Sequence, residues 1–265
     1  MCAVTDDKLK SFGDLREKFG IPPKGDRVDG RHSNEMRPVS IDLNFHRPHQ
    51  VLVSYGNTRV ICAASIENRV PQWRYGSGLG WLTAEYSMLP NSTERRTARE
   101  KGINVSGRTY EIQRLIGRAL RGVTRLGSLG QCSVYIDCDV VSADGGTRSA
   151  SITGGFLALY SLMKGNEKRF PVWPIVEPLC AVSVGIVKGE MMLDLAYEED
   201  SAAQVDGCAV FLKSGRLVDF FLSGEEASFT TEELASAVEL AKCGCDTIFE
   251  TMSQKLAEID AIYVK

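Results

Sequence analysis

Apolar positions along this chain alternate over several short stretches and recur at helical spacing over three longer ones. Val51, Val53 and Tyr55 alternate, Gly56-Asn57 offers a turn, and Val60, Cys62, Ala64 and Ile66 alternate again, which predicts a hairpin. A glycine-rich irregular stretch, RYGSGLGW, follows. From Thr109 to Arg121 the period changes: Ile112, Leu115, Ile116, Ala119 and Leu120 share one helical face, with Arg114, Arg118 and Arg121 on the other. Residues 133–141 alternate as a strand, and the polar turn Ser142–Thr147 leads into an Ala/Leu-rich helix from Ser149 to Met163. Beyond the Pro-rich stretch Phe170–Pro178, two further hairpins turn at Lys188-Gly189 and at Lys213-Ser214-Gly215. Thr230-Thr-Glu-Glu233 reads as a capping box opening a long amphipathic helix through Leu234, Val238, Ala241, Cys245, Phe249, Met252 and Leu256. Both halves run strands first and helix last. The pattern predicts an α+β protein of two related strand-helix subdomains, mixed sheets with helices packed on them: 25–170 and 171–265, after an N-terminal extension, 1–24.

Composition narrows the class. With 265 residues, 43% hydrophobic and 25% charged, the chain can bury a substantial core without disulfide or metal staples. No apolar run approaches the roughly 20 residues a membrane helix needs, and the acid-containing N-terminus lacks a signal-peptide core. A cytoplasmic protein with no membrane partner is expected. Of the 8 cysteines, Cys62, Cys132, Cys138, Cys180 and Cys208 sit in apolar stretches, as core thiols do, and no zinc spacing occurs. Histidine is scarce (His32, His46, His49), which limits chemistry built on a His base. Charge is uneven: Glu94–Arg121 carries eight Lys/Arg against three Asp/Glu, whereas Glu190–Asp260 carries four against sixteen. A basic segment on an acidic chain fits either an anionic ligand or a solvated helix face.

Three constellations bear on chemistry. In Asp144-Gly-Gly-Thr-Arg148 a strand ends, glycines permit a tight turn and a helix starts, so backbone N–H groups and the helix dipole can cradle an anion. Thr147 adds a hydroxyl and Arg148 a forked cation suited to phosphate; an ordinary strand–helix turn is the plain alternative. Asp194–Asp206 holds five carboxylates in thirteen residues, an oxygen-rich cluster that suits Mg²⁺ or else a solvated acidic loop. Arg95-Arg96-Thr-Ala-Arg99 is a basic loop that could track a nucleic-acid backbone. Together these suit phosphoryl transfer by positioning and charge neutralisation.

The motifs Arg27-Val-Asp-Gly-Arg31 with Arg37-Pro38, Gly56-Asn-Thr58, Gly78-Leu-Gly-Trp-Leu-Thr-Ala-Glu-Tyr-Ser-Met-Leu-Pro90, Gly107-Arg-Thr109, Arg114–Arg121, Asp137-Cys-Asp139, Ala143–Arg148 and Tyr197-Glu-Glu-Asp-Ser201 occur in one order. In that order the chain resembles the bacterial ribonuclease PH family from about Arg27 to Leu256. The resemblance implies the ribonuclease PH fold and a phosphate-dependent 3′→5′ exoribonuclease that trims tRNA precursors and other RNA 3′ ends. Inorganic phosphate is the co-substrate, nucleoside diphosphate leaves in a reversible nucleotidyl transfer, and the assembly is a homohexamer, a trimer of dimers. By resemblance, Arg108, Gly146, Thr147 and Arg148 bind phosphate, with Arg108 and Arg148 counted among the catalytic groups. Asp200 and Asp206 match the acidic pair assigned to catalysis and Mg²⁺, Asp206 as ligand or as proton donor. Arg95, Arg96 and Arg99 belong to the loop that grips RNA from across the ring. Asn91 stands where the family has Arg, Gln204 where a carboxylate is common, and the segment between Arg99 and Arg108 is a residue short. Rival readings are a non-catalytic or an exosome-type ring subunit; the retained Arg108, Arg148, Asp200 and Asp206 argue against the first, and Gly-Leu-Gly-Trp-Leu-Thr-Ala-Glu-Tyr against the second.

Overall fold

A computed structural model describes residues 27–43, 45–100 and 105–263; the expected extension at 1–24 lies outside them. The first sheet holds β1 (Val39–Leu43), β2 (Gln50–Tyr55), β3 (Thr58–Glu67), β4 (Trp81–Met88) and β5 (Ser133–Ser142), in the order β1-β2-β3-β5-β4. Its pairs are antiparallel except β4 with β5, which run parallel. That crossover carries the basic loop and helix α1 (Gly107–Gly122), followed by the single turn α2 (Leu126–Leu129). The second sheet, β7-β6-β8-β9, is antiparallel throughout, from β6 (Leu179–Val187), β7 (Glu190–Leu193), β8 (Val205–Leu212) and β9 (Leu217–Gly224).

Helix α3 (Thr147–Gly165) is the centre of the core. Every residue from Ser149 to Leu159 is buried, so the helix has no solvent stripe and must be covered on several sides. On one side it lies close against the first sheet: a Cβ at Gly154 would stand 2.6 Å from Cys62 Sγ and 3.0 Å from Val53 Cγ2. On the other it meets β6, where Thr153 Oγ1 accepts the Ala181 N–H at 3.1 Å and the Tyr55 O–H at 2.8 Å. The helix expected on one face of its own sheet is therefore shared by both sheets, because it is apolar all round rather than amphipathic. One continuous hydrophobic cluster runs through both.

The three predicted hairpins are present as β2/β3, β6/β7 and β8/β9. Lys188 and Gly189 both take positive φ, 50° and 72°, the conformation a two-residue hairpin turn requires. Two strands went unpredicted. In β4, Leu82, Ala84 and Tyr86 are buried while Glu85 and Ser87 face outward, an alternation hidden by the adjoining glycines; β1 is short and irregular in pattern. The stretch 197–201, read as loop, forms one turn, α4 (Tyr197–Ser201). The last helix, α5 (Thr231–Tyr263), runs past Leu256.

The capping box closes as its sequence requires. The Glu233 N–H donates to Thr230 Oγ1 at 3.2 Å, and the Thr230 N–H donates to Glu233 Oε2 at 2.7 Å. Thr230→Ala should cost about 1 kcal/mol of stability, read as a lower urea midpoint with unchanged slope. An unchanged midpoint would show that tertiary packing alone sets the start of α5.

Candidate active site

The turn between β5 and α3 is built to bring backbone close to backbone. Gly145 and Gly146 have φ of 73° and 67°, and a Cβ on Gly145 would overlap the Leu195 carbonyl oxygen, so neither sterics nor dihedral admits a larger residue there. Thr147 opens α3, whose N-terminus has no side-chain cap. Its first-turn N–H groups thus remain for another acceptor, with the positive end of a 19-residue helix behind them.

Two cations flank this turn. Arg148 keeps only 16% of its side chain exposed, its guanidinium lies 5.2 Å from the Phe221 ring centroid, and its buried Nε has no hydrogen-bond partner. Its Nη2 is 3.9 Å from Glu111 Oε1, a long contact to a half-exposed carboxylate. Arg108 is the second residue of α1 and is exposed; Ser106 caps that helix by accepting the Thr109 N–H at 3.1 Å.

The five carboxylates of 194–206 divide by what holds them. Asp194 is fully buried and is gripped by Arg37: backbone N–H and Nε donate to Oδ2 at 2.8 and 2.9 Å, and Nη2 donates to Oδ1 at 2.7 Å. Glu199 takes a bidentate pair from Arg27, at 2.7 and 2.6 Å. Glu198 is exposed. Asp200 and Asp206 are left to face the cations. Burial pushes the Asp200 carboxyl up from its ordinary pKa, against the opposing pull of Arg108, Arg148 and Arg37. Burial, then the Asp200 charge, raise Asp206, with Arg148 and Arg108 pulling the other way. Arg108, Arg148, Asp200 and Asp206 therefore share one electrostatic site beside the Gly146-Thr147 turn.

Asp206 Oδ1 is buried with no hydrogen-bond partner, which fits a group that brings its own positive charge or proton. No set of three or more His, Cys, Asp or Glu among the described residues could hold a metal. Two carboxylates suit Mg²⁺, a hard cation that keeps most of its waters. Gln204 is committed elsewhere, its Oε1 accepting the Gly189 N–H at 2.7 Å. His49 shares its Nδ1 with Ser161 at 3.1 Å and Tyr263 at 3.2 Å, at the far end of α3 from this site. Arg95, Arg96 and Arg99 are exposed, and the positive charge of Arg99 bears on Asp139 of β5.

Sequence reasoning missed two participants. Arg37, quoted only as part of a motif, donates beyond Asp194 to the carbonyls of Asp144 and Leu195. Tyr86 lies with its hydroxyl 2.9 Å from Thr147 Oγ1; the alternation of β4 was the signal that would have turned it inward.

Family models for the two domains of a 3′ exoribonuclease family, ribonuclease PH, match residues 35–163 and 177–244. The chain belongs to the ribonuclease PH family. It is 51% identical over 241 residues to ribonuclease PH of Bacillus velezensis, covering 88% of this chain and 97% of that protein. Ribonuclease PH of Bacillus subtilis is 49% identical, with the same coverage. The fold is shared with a chain of the Archaeoglobus fulgidus exosome solved with RNA bound to its active site, at TM-score 0.71 and 18% identity, over 91% of this chain and 99% of that one. Among the described residues no helix is long and apolar enough to cross a membrane.

Raised carboxylate pKa values carry a stability cost at neutral pH. The native state holds the Asp206 proton more tightly than the unfolded chain does, so this stability is full below the ordinary aspartate pKa and is lost as pH rises through the raised one. Asp206→Asn should therefore raise Tm at pH 7.5 in metal-free buffer, the gain vanishing as pH falls below the ordinary aspartate range. A gain independent of pH would place the effect in packing instead.

Proposed function

We propose that this chain shortens tRNA precursors from their 3′ ends, using inorganic phosphate as the nucleophile and a bound Mg²⁺ held by Asp200 and Asp206. As a member of the ribonuclease PH family the enzyme is a phosphorolytic 3′→5′ exoribonuclease, and run in reverse it is a nucleotidyltransferase. The observation that carries the site assignment is the meeting of Arg108, Arg148 and the uncapped α3 N-terminus with Asp200 and Asp206. Phosphate sits between Arg108 and Arg148 with its oxygens on the first N–H groups of α3 and the Thr147 hydroxyl, its charge balanced before reaction. One phosphate oxygen attacks the terminal phosphorus, the 3′ oxygen of the preceding nucleotide departs, and the product is a nucleoside diphosphate. When bound, Mg²⁺ neutralises charge on the scissile phosphate. Asp200 and Asp206 would hold that cation, because Asp194 and Glu199 are locked into ion pairs and Glu198 is exposed.

The exposed arginines of the basic loop support a role in holding RNA seated on a neighbouring subunit of a homohexamer, a trimer of dimers. The described cysteines are free thiols, as suits the cytoplasm.

With 3′-extended tRNA and Mg²⁺, release of nucleoside diphosphates should require added phosphate; monophosphates released equally without it would overturn the reading. Arg108→Ala should slow turnover about 10²–10³-fold with the fold intact, since Arg108 is exposed, and tRNA affinity should change far less because Arg96 and Arg99 still hold the RNA. Near-normal turnover at low phosphate would exclude it from the phosphate site. Replacing Arg96 and Arg99 together by Ala should impair trimming of tRNA more than cleavage of a short oligonucleotide and flatten the salt dependence of tRNA binding. Equal losses on both substrates would place the loop at the chemistry.

A further inference from the structure

Tyr86 lies on the inward face of β4, after Leu82 and Ala84, and is 4% exposed. Its hydroxyl reaches Thr147 Oγ1 at 2.9 Å, and the Thr147 hydroxyl makes no other hydrogen bond among the described residues. A second tyrosine–threonine pair provides a contrast. Tyr55 O–H donates to Thr153 Oγ1 at 2.8 Å, but there Thr153 also accepts the Ala181 N–H, and both residues are fully buried. That pair is closed upon the core. Tyr86 and Thr147 instead meet at the half-exposed mouth of the turn before α3, where either hydroxyl can be the donor.

We infer that Tyr86 is a positioning residue for the attacking phosphate: its O–H donates to Thr147 Oγ1 and so turns the Thr147 O–H outward, as a donor to a phosphate oxygen. This deepens the phosphate-dependent reading and rests on it. The direction follows from the partners. Phosphate presents mainly acceptor oxygens, and a threonine hydroxyl has one proton to give and lone pairs to receive with. Only a donor behind Thr147 leaves that proton committed to phosphate, and two hydrogen bonds in series polarise one another. Tyr86 is equipped to be that donor, since burial pushes its phenol pKa up despite the pull of Arg108 and Arg148, keeping the O–H intact. Thr147 in turn is the first residue of a helix buried along nearly its whole length, so its hydroxyl swings about a fixed Cα.

The test is a double-mutant cycle on the full-length enzyme, reading KM for inorganic phosphate separately from KM for a short RNA. Tyr86→Phe keeps the ring packed and removes the donor. It should raise phosphate KM about three- to tenfold, the worth of one neutral hydrogen bond, and leave RNA KM unchanged. Thr147→Val should raise phosphate KM at least as much, and adding Tyr86→Phe to it should do nothing more, because the relay has lost its second member. Thr147→Ser, which keeps the hydroxyl, should raise phosphate KM less than Thr147→Val does, and adding Tyr86→Phe to it should raise phosphate KM further. Unchanged phosphate KM in Tyr86→Phe, a rise in Thr147→Ser as large as in Thr147→Val, or losses that multiply in the double variant of Tyr86→Phe and Thr147→Val would overturn the inference alone. A wild-type enzyme indifferent to phosphate would overturn the phosphorolytic reading and this inference with it.

Discussion

The arrangement of this active site depends on one buried charge pair, Arg37 with Asp194. Both side chains are out of water, and each is costly there unless fully paired. Here the pairing is complete: three donors of Arg37 serve Asp194, and the rest of the guanidinium reaches the carbonyls of Asp144, Gly145 and Leu195. Asp194 sits at φ 52°, a left-handed backbone that a non-glycine residue holds only when its surroundings compel it. The pair thus fixes three chain segments at one point: the entry to β1, the anion turn before α3, and the acidic segment after β7. Removing either partner would strand a buried charge, at a cost of about 3–5 kcal/mol. Arg27 repeats the device one step along, clamping Glu199 while bonding to the carbonyls of Leu193 and Asp194.

These structural ion pairs explain why the functional charges stay unpaired. Arg37 and Arg27 hold Asp194 and Glu199, with Arg31 beside both at 3.5 and 3.7 Å, so these two acids make no demand on Arg108 and Arg148. With them satisfied, Arg148 keeps a buried Nε and Asp206 a buried Oδ1 that meet no hydrogen-bond partner among the described residues. Buried groups without partners lower stability, and at an active site they mark where substrate or cation completes the arrangement. The raised pKa values of Asp200 and Asp206 have the same origin in burial.

Much of this was legible in the sequence where a local rule operates. The Thr230–Glu233 box, the Lys188-Gly189 turn and the alternation of β2 and β3 each depend on residues within a few positions of one another, and each forms as its rule requires. The Gly145-Gly146 turn from strand into helix was readable for the same reason. What sequence could not supply is partnership across distance. Five carboxylates in thirteen residues look alike until Arg37, 157 positions away, takes one of them, and Arg27, 172 positions away, takes another. Helix α3 was read as facing one sheet, although its unbroken run of small and apolar residues already required cover on several sides.

Burial of α3 has a consequence for how the site can work. Its N-terminus presents Gly146, Thr147 and Arg148, while Gly154 and Gly155 seat it against β2, β3 and β5, and Thr153 ties it to β6. A helix packed on both sheets cannot shift without disturbing the whole core, and interiors at native density yield little. The anion cradle is therefore a fixed point, and preorganisation of its donors comes from the fold itself rather than from substrate-driven closure. Arg108 differs, since it stands exposed at the start of α1, just after the basic loop. The site thus joins one immobile wall to one exposed cation, and the phosphate proposed to lie between them would meet fixed donors on one side and an adjustable guanidinium on the other.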